Sequence, residues 1–155
     1  MVKYVVQIGD EVLRQKCAEV KKFDSDLGRL MDDLRQTVRA ENGAGLAAPQ
    51  IGVPLRAVVV DVEEGVFEMV NPVILSKKGE QTGAEGCLSV KGKQGTVTRP
   101  YRVKAEYRDP TGRKHKLTAE GFFARAVCHE LDHLDGIIYT DIASEVYDLP
   151  EEDKQ

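Results

Sequence analysis

The string His129-Glu130-Leu131-Asp132-His133 constrains this chain more than any other stretch of it. On an α-helix, residues four apart lie on one face, so both imidazoles can converge on a single cation. The glutamate between them is displaced around the helix toward a water held there. The string therefore supplies two metal ligands and a general base. Chance is a weak rival: with only 3 His in 155 residues, a shuffled chain would carry H-E-x-x-H about 0.3% of the time. Phe122 and Ala126 share the stripe that carries His129 and His133, which predicts a half-buried helix rather than a solvated one.

Two histidines need at least one more protein ligand, with a position left open if the site is catalytic. Cys87 is the natural candidate. It sits in Glu85-Gly86-Cys87-Leu88-Ser89, where Gly86 lets the chain bend, and a thiolate is a strong ligand for zinc or ferrous iron. The common H-E-x-x-H proteases take a third ligand downstream, but no histidine follows His133 here. His115 lies among Arg113, Lys114 and Lys116 and reads as an exposed strand residue, so a closed four-ligand site is not evident.

The rest of the composition narrows the class. A chain of 155 residues is expected to form one catalytic domain, 1–155, large enough to bury a core without disulfides. Its net charge of −4 argues against a DNA-binding protein, and no apolar run is long enough to span a membrane. Neither a signal nor a transit pattern follows Met1, so the cytosol is the expected compartment. There Cys17 and Cys128 read as buried thiols rather than disulfide partners.

Along the chain, a helical turn is expected over Glu11 to Gln15 behind Gly9-Asp10. The stripe Leu27, Leu30, Met31, Leu34, Val38 predicts a core helix, with Asp24 or Ser25 as N-cap and Asn42-Gly43 as stop. Gly43 to Gly52 reads as a loop, either a tight connection or a place where backbone comes close to something. Strands are expected over Leu55 to Val62, Val66 to Val70 and Val73 to Ser76, the last two separated by Asn71-Pro72. Tyr101 to Arg108 and Arg113 to Thr118 form a hairpin around Asp109-Pro110-Thr111-Gly112. The main helix spans Ala119 to Leu134, Ile137 to Tyr139 gives a last strand, and residues 141–155 form a short acidic tail. Strands in runs favour an α+β fold, with mostly antiparallel sheets packed around a central metal-bearing helix.

Three segments in this order, Gly43-Ala44-Gly45-Leu46-Ala47-Ala48-Pro49-Gln50, Glu85-Gly86-Cys87-Leu88-Ser89 and His129-Glu130-Leu131-Asp132-His133, resemble the signature motifs of peptide deformylases. The resemblance covers nearly the whole chain. It implies a metallohydrolase that removes the formyl group from the N-terminal formyl-methionine of nascent polypeptides and releases formate. It places the metal on Cys87, His129 and His133 and makes Glu130 the acid/base. The Gln50 amide and the backbone N–H of Leu88 would bind the developing oxyanion, as donors of this kind do in acyl transfer. Substrate contacts would come from Gly43, Ala44, Gly45, Leu46, Glu85 and Gly86, and from Phe122, Arg125 and Ala126 on the helix face. Gly45 would lie against the formyl group.

The resemblance favours Fe²⁺ in the cell, although a Cys/His₂ set also suits Zn²⁺, Ni²⁺ or Co²⁺. Arg125 departs from the apolar residue expected in a methionine pocket. Either its stem lies along the pocket wall with the guanidinium at the mouth, or it is a solvated flank residue. Asp132, which cannot reach the metal's open side, is expected to pair with an arginine of residues 99–102, Arg99 first. The acidic tail disfavours docking on the ribosome, whereas residues 91–116, with nine Lys/Arg against Glu106 and Asp109, offer a weak electrostatic contact. The competing readings are a metallopeptidase on the same two histidines and a structural metal-binding module.

Overall fold

A continuous valine run is the sign of a strand buried on both faces, and the run at Ala57–Val62 (β2) is the middle layer of the protein. In this computed structural model, which describes residues 1–150, the alternate residues of β2 serve two cores. Ala57 and Val59 join the cluster under the first helix, and Val58 and Val60 the cluster under the second.

The first helix, α1, spans Ser25–Ala40 and is capped by Asp24, whose side chain accepts from the Leu27 N–H. Its buried stripe of Leu27, Met31, Leu34 and Val38 packs on one face of β2, and the chain leaves it through Asn42 at φ 53°. The expected turn near the N-terminus is a 3₁₀ turn, Glu11–Arg14, with Asp10 as its cap.

The larger sheet contains β1 (Gly45–Ala47), β2, β3 (Gly65–Lys78), β6 (Arg102–Arg108) and β7 (Lys114–Glu120), in the order β1-β2-β3-β6-β7, all antiparallel. The second sheet has β4 (Gln81–Cys87), β5 (Val90–Arg99) and β8 (Glu145–Asp148) in the order β4-β5-β8. The second helix, α2, runs Phe122–His133 and buries nearly every side chain. An α+β fold with antiparallel sheets around α2 is thus what the chain forms.

Five local expectations change. The segments at Val66 to Val70 and Val73 to Ser76 are one strand, because the proline is absorbed by a bulge between Val70 and Val73. There Asn71, at φ 50°, bonds the Val20 backbone through both side-chain atoms. Within the expected loop, Gly45–Ala47 pairs with β2 and Ala48–Ile51 forms a 3₁₀ turn. Helix α2 starts at Phe122 rather than Ala119, because Ala119 and Glu120 still pair with β6 and Gly121, at φ 60°, makes the corner.

Ile137 to Tyr139 is not a strand. Asp141 accepts from the Ile138 N–H and closes a 3₁₀ turn, Tyr139–Asp141, whose apolar residues face inward. The acidic segment is not a free tail over its whole length either. Asp141 pairs with Arg14, and Glu145–Asp148 forms β8 alongside β5; residues 151–155 lie outside the described part. Strands β4 and β5 were missed because their glycines, threonines and lysines carry no hydrophobic alternation.

Candidate active site and metal centre

Cys87 ends β4 at a slip in register between Glu85 and Cys87, and a bulge of this kind re-aims a side chain. It brings Sγ to 3.3 Å from His133 Nε2. Together the donor atoms of Cys87, His129 and His133 lie within 4.8 Å of one another, close enough to share one cation. The set is chemically coherent as well: one thiolate and two imidazoles, with a buried carboxylate beside them. Among the described residues, Glu130 Oε1 and His133 Nδ1 are buried polar atoms without a protein partner.

Behind the ligands lies a carboxylate that sequence reasoning assigned to substrate. Both oxygens of Glu85 are taken from inside the protein. Oε1 accepts from Arg99 Nε at 3.0 Å and Arg125 Nη1 at 2.9 Å, while Oε2 accepts from Arg99 Nη2 and faces His129 Nδ1, each at 2.6 Å. Burial alone would raise this carboxyl, but hydrogen bonds from His129 and Arg99 outweigh it and hold the group at about 2. A charged partner on Nδ1 orients the imidazole and leaves Nε2 as the nitrogen that could meet a cation. Glu85 borders the cavity, yet its chemistry is directed at His129.

Arg125 also differs from both expectations. It is 6% exposed, and one nitrogen of its guanidinium, Nη1, turns inward to Glu85 and the Val97 carbonyl. The buried carboxylate of Glu85, which bonds His129 one helical turn beyond Arg125, draws the guanidinium away from the mouth.

Glu130 is buried, and burial pushes its carboxyl up to about 7. A cation held beside it would draw that value down again. Gly45 is required by this carboxylate: a Cβ there would meet Glu130 Oε2 at 2.6 Å, so the obstruction expected at the formyl group falls on Glu130. Gln50 is buried with its amide oriented by two partners. Oε1 accepts from the Ala47 N–H at 2.9 Å, and Nε2 donates to Ser89 Oγ at 3.0 Å and lies 3.5 Å from Cys87 Sγ. The amide nitrogen thereby faces the ligands.

These groups open onto a cavity of about 500 Å³, lined by Gly43, Ala44, Gly45, Gln50, Glu85, Gly86, Cys87 and Leu88, and by Phe122, Arg125, Ala126, His129 and Glu130 of α2. Leu46 is the exception among the expected contacts, since its side chain is fully buried in the core beneath α1. Tyr139 escaped the sequence reading altogether. Its buried ring lies 6.2 Å from that of His129, and its hydroxyl has no partner among the described residues.

Residues 2–148 match the family model for polypeptide deformylase. The chain belongs to the peptide deformylase family. A deformylase from Thermoanaerobacter pseudethanolicus is 47% identical over 154 residues, covering 99% of this chain and 96% of its own. The crystal structure of the deformylase from Thermotoga maritima superposes with a TM-score of 0.91 at 34% identity, over 94% of this chain and 99% of that one. The deformylase from Synechococcus elongatus, solved in complex with actinonin, gives a TM-score of 0.88 at 36% identity, over 91% of this chain and 78% of that one.

The protein is accordingly a hydrolase that removes the formyl group from the N-terminus of nascent polypeptides. The family is metal-dependent, and Cys87, His129 and His133 form the site on this chain where a cation can be held. Neither competing reading, metallopeptidase or structural module, finds support in these relatives. No helix among the described residues is long and apolar enough to cross a membrane.

Proposed function

We propose that this deformylase hydrolyses the formamide of N-formyl-methionyl peptides with Glu130 as acid/base and with Gln50 and Leu88 as oxyanion donors. The observation that carries the reading is the convergence on one cavity of a three-ligand set, a buried carboxylate and an oriented amide. A divalent cation on Cys87, His129 and His133 would lower the pKa of a water toward neutrality and polarise the formyl oxygen. Glu130 takes a proton from the attacking water and returns it to the leaving amine, a role that suits a buried carboxylate at the cavity wall beside the two histidines. The Gln50 amide and the Leu88 N–H stabilise the negative charge on the formyl oxygen, each worth about 3 to 4 kcal/mol in the barrier. Gly43, Ala44, Gly45 and Gly86 let the peptide backbone approach, and Phe122, Arg125 and Ala126 border the first side chain.

A thiolate with two imidazoles accepts Fe²⁺, Zn²⁺, Ni²⁺ or Co²⁺, and Fe²⁺ is our choice for the cell. The cytosol, where formylated chains emerge, is the compartment we assign. Any ribosome contact through residues 91–116 is weak, because Arg99 is buried and Lys93 pairs with Asp148 of the adjoining acidic strand. It should fall steeply with salt and survive deletion of residues 150–155.

Release of formate from a formyl-methionyl peptide, with no cleavage of the unformylated peptide, tests the activity. Inhibition by actinonin provides a second check. Peptide-bond cleavage without formate would make the protein a peptidase instead.

A further inference from the structure

Arg125 spends only part of its hydrogen-bonding capacity inside the protein. Its Nη1 donates to Glu85 Oε1 at 2.9 Å and to the Val97 carbonyl at 3.2 Å, but Nε and Nη2 have no acceptor among the described residues. The buried polar side-chain atoms left without partners there are Glu130 Oε1, His133 Nδ1 and the Tyr139 hydroxyl. Nε and Nη2 are not among these sealed atoms, so both keep some exposure, and the residue lines the cavity of the catalytic site. A Cβ on Gly83 of β4 would lie 3.6 Å from Nη2, an ordinary contact distance, so this nitrogen borders β4 at a residue with no side chain to cover it.

Position matters as much as vacancy. Arg125 is one helical turn before His129 and lies between Phe122 and His129 on the face of α2 that borders the cavity. A first side chain running along that face from a formyl group held near Glu130 would meet it. The charge of the guanidinium is already shared with Glu85, so this wall offers N–H donors without demanding an anionic ligand. Thioether sulfur makes poor use of such donors. The oxygen of methionine sulfoxide, the usual oxidation product of methionine, is a strong acceptor at the same place along the chain.

We propose that Arg125 makes this pocket accept first side chains bearing an uncharged hydrogen-bond acceptor, so that the enzyme deformylates peptides beginning with formyl-methionine sulfoxide as well as formyl-methionine. This rests on the deformylase reading above. A wholly apolar pocket would penalise the sulfoxide by roughly ten- to hundredfold, because its oxygen would lose water without gaining a partner. Arg125 supplies that partner from groups that are idle when methionine is bound.

The test measures kcat/KM of the metal-loaded enzyme on three peptides that differ only in the first residue: formyl-methionine, formyl-methionine sulfoxide and formyl-norleucine. The wild type is expected to turn over the sulfoxide within about tenfold of methionine. Arg125→Met should widen that gap at least about tenfold further, mainly through KM, while leaving the norleucine-to-methionine ratio in place, and Arg125→Lys should recover part of the loss. Rejection of the sulfoxide by the wild type by more than about tenfold would overturn the proposal, even where the Met variant fails to fold. An unchanged sulfoxide-to-methionine ratio in a folded Met variant would overturn it too. Absence of turnover on formyl-methionine itself would instead bring down the deformylase assignment, and this proposal with it.

Discussion

Arg99 Nη1 donates to Asp132 Oδ2 at 2.6 Å, the pairing expected for an aspartate lodged between two metal ligands. The same guanidinium holds both oxygens of Glu85 through Nε and Nη2, at 3.0 and 2.6 Å. One arginine thus ties the strand that carries Cys87 to the helix that carries both histidines. Removing it leaves Glu85 nearly fully buried with fewer cations to balance it. Arg99→Ala should cost about 3 to 5 kcal/mol in denaturant unfolding, and metal content should fall with it. Lysine cannot reproduce the fork and should recover only part of the loss.

Loss of a ligand and loss of the acid/base should be separable. Cys87→Ala and His133→Ala are expected to abolish turnover with metal loss visible in elemental analysis. Glu130→Gln should keep the metal and lose roughly 10²- to 10⁴-fold in kcat. Near-normal turnover by fully metallated Glu130→Gln would refute the assigned mechanism.

Gly45→Ala places a methyl group where the Glu130 carboxylate now sits, 2.6 Å from Oε2. The carboxylate must move, and a displacement of that order can cost about 10²-fold in rate. The expected result is a folded protein with reduced kcat and retained metal. Wild-type kcat would show that Glu130 finds an equivalent position.

Asp141 gives a pH signature away from the metal. Its carboxyl is held below the ordinary aspartate range chiefly by the hydrogen bond from Arg14, with burial opposing and the Ile138 N–H assisting. A depressed folded-state pKa stabilises the fold fully above the unfolded value, and the benefit disappears as pH falls through the folded one. Asp141→Asn should therefore be less stable at pH 7 by about 0.5 kcal/mol, a modest figure because the pair is largely solvent-exposed. The gap should narrow as pH falls below the ordinary aspartate value of about 3.9. Thermal unfolding of both proteins at pH 7 and pH 3 checks this, and a gap that widens on acidification would contradict it.

Local pattern was enough to single out Cys87, His129, His133 and Glu130, which the fold gathers at one cavity, and to give α1 with its Asp24 cap, the β6–β7 hairpin and the α+β class. Each of these depends on periodicity or spacing within a few residues, or on a donor type rare enough to stand out. Ligands His129 and His133 are neighbours on any helix, and Cys87 was the one suitably placed soft donor. The Arg99–Asp132 pairing was legible because a carboxylate beside two ligands needs a counter-charge.

Tertiary structure decided everything that depends on what a side chain meets across the fold. Nothing local to Arg125 shows that a carboxylate 40 residues away will draw its guanidinium inward. Gly45 looks like a loop glycine until Glu130 is seen pressed against it. Tyr139, in a segment apolar enough to pass for a strand, comes to lie beside His129 only because Asp141 closes the turn. A sequence determines which groups are available and how neighbours along an element are spaced, whereas burial and long-range pairing follow from sheet register and helix packing. Those settle whether a charged group faces water, substrate or another charge.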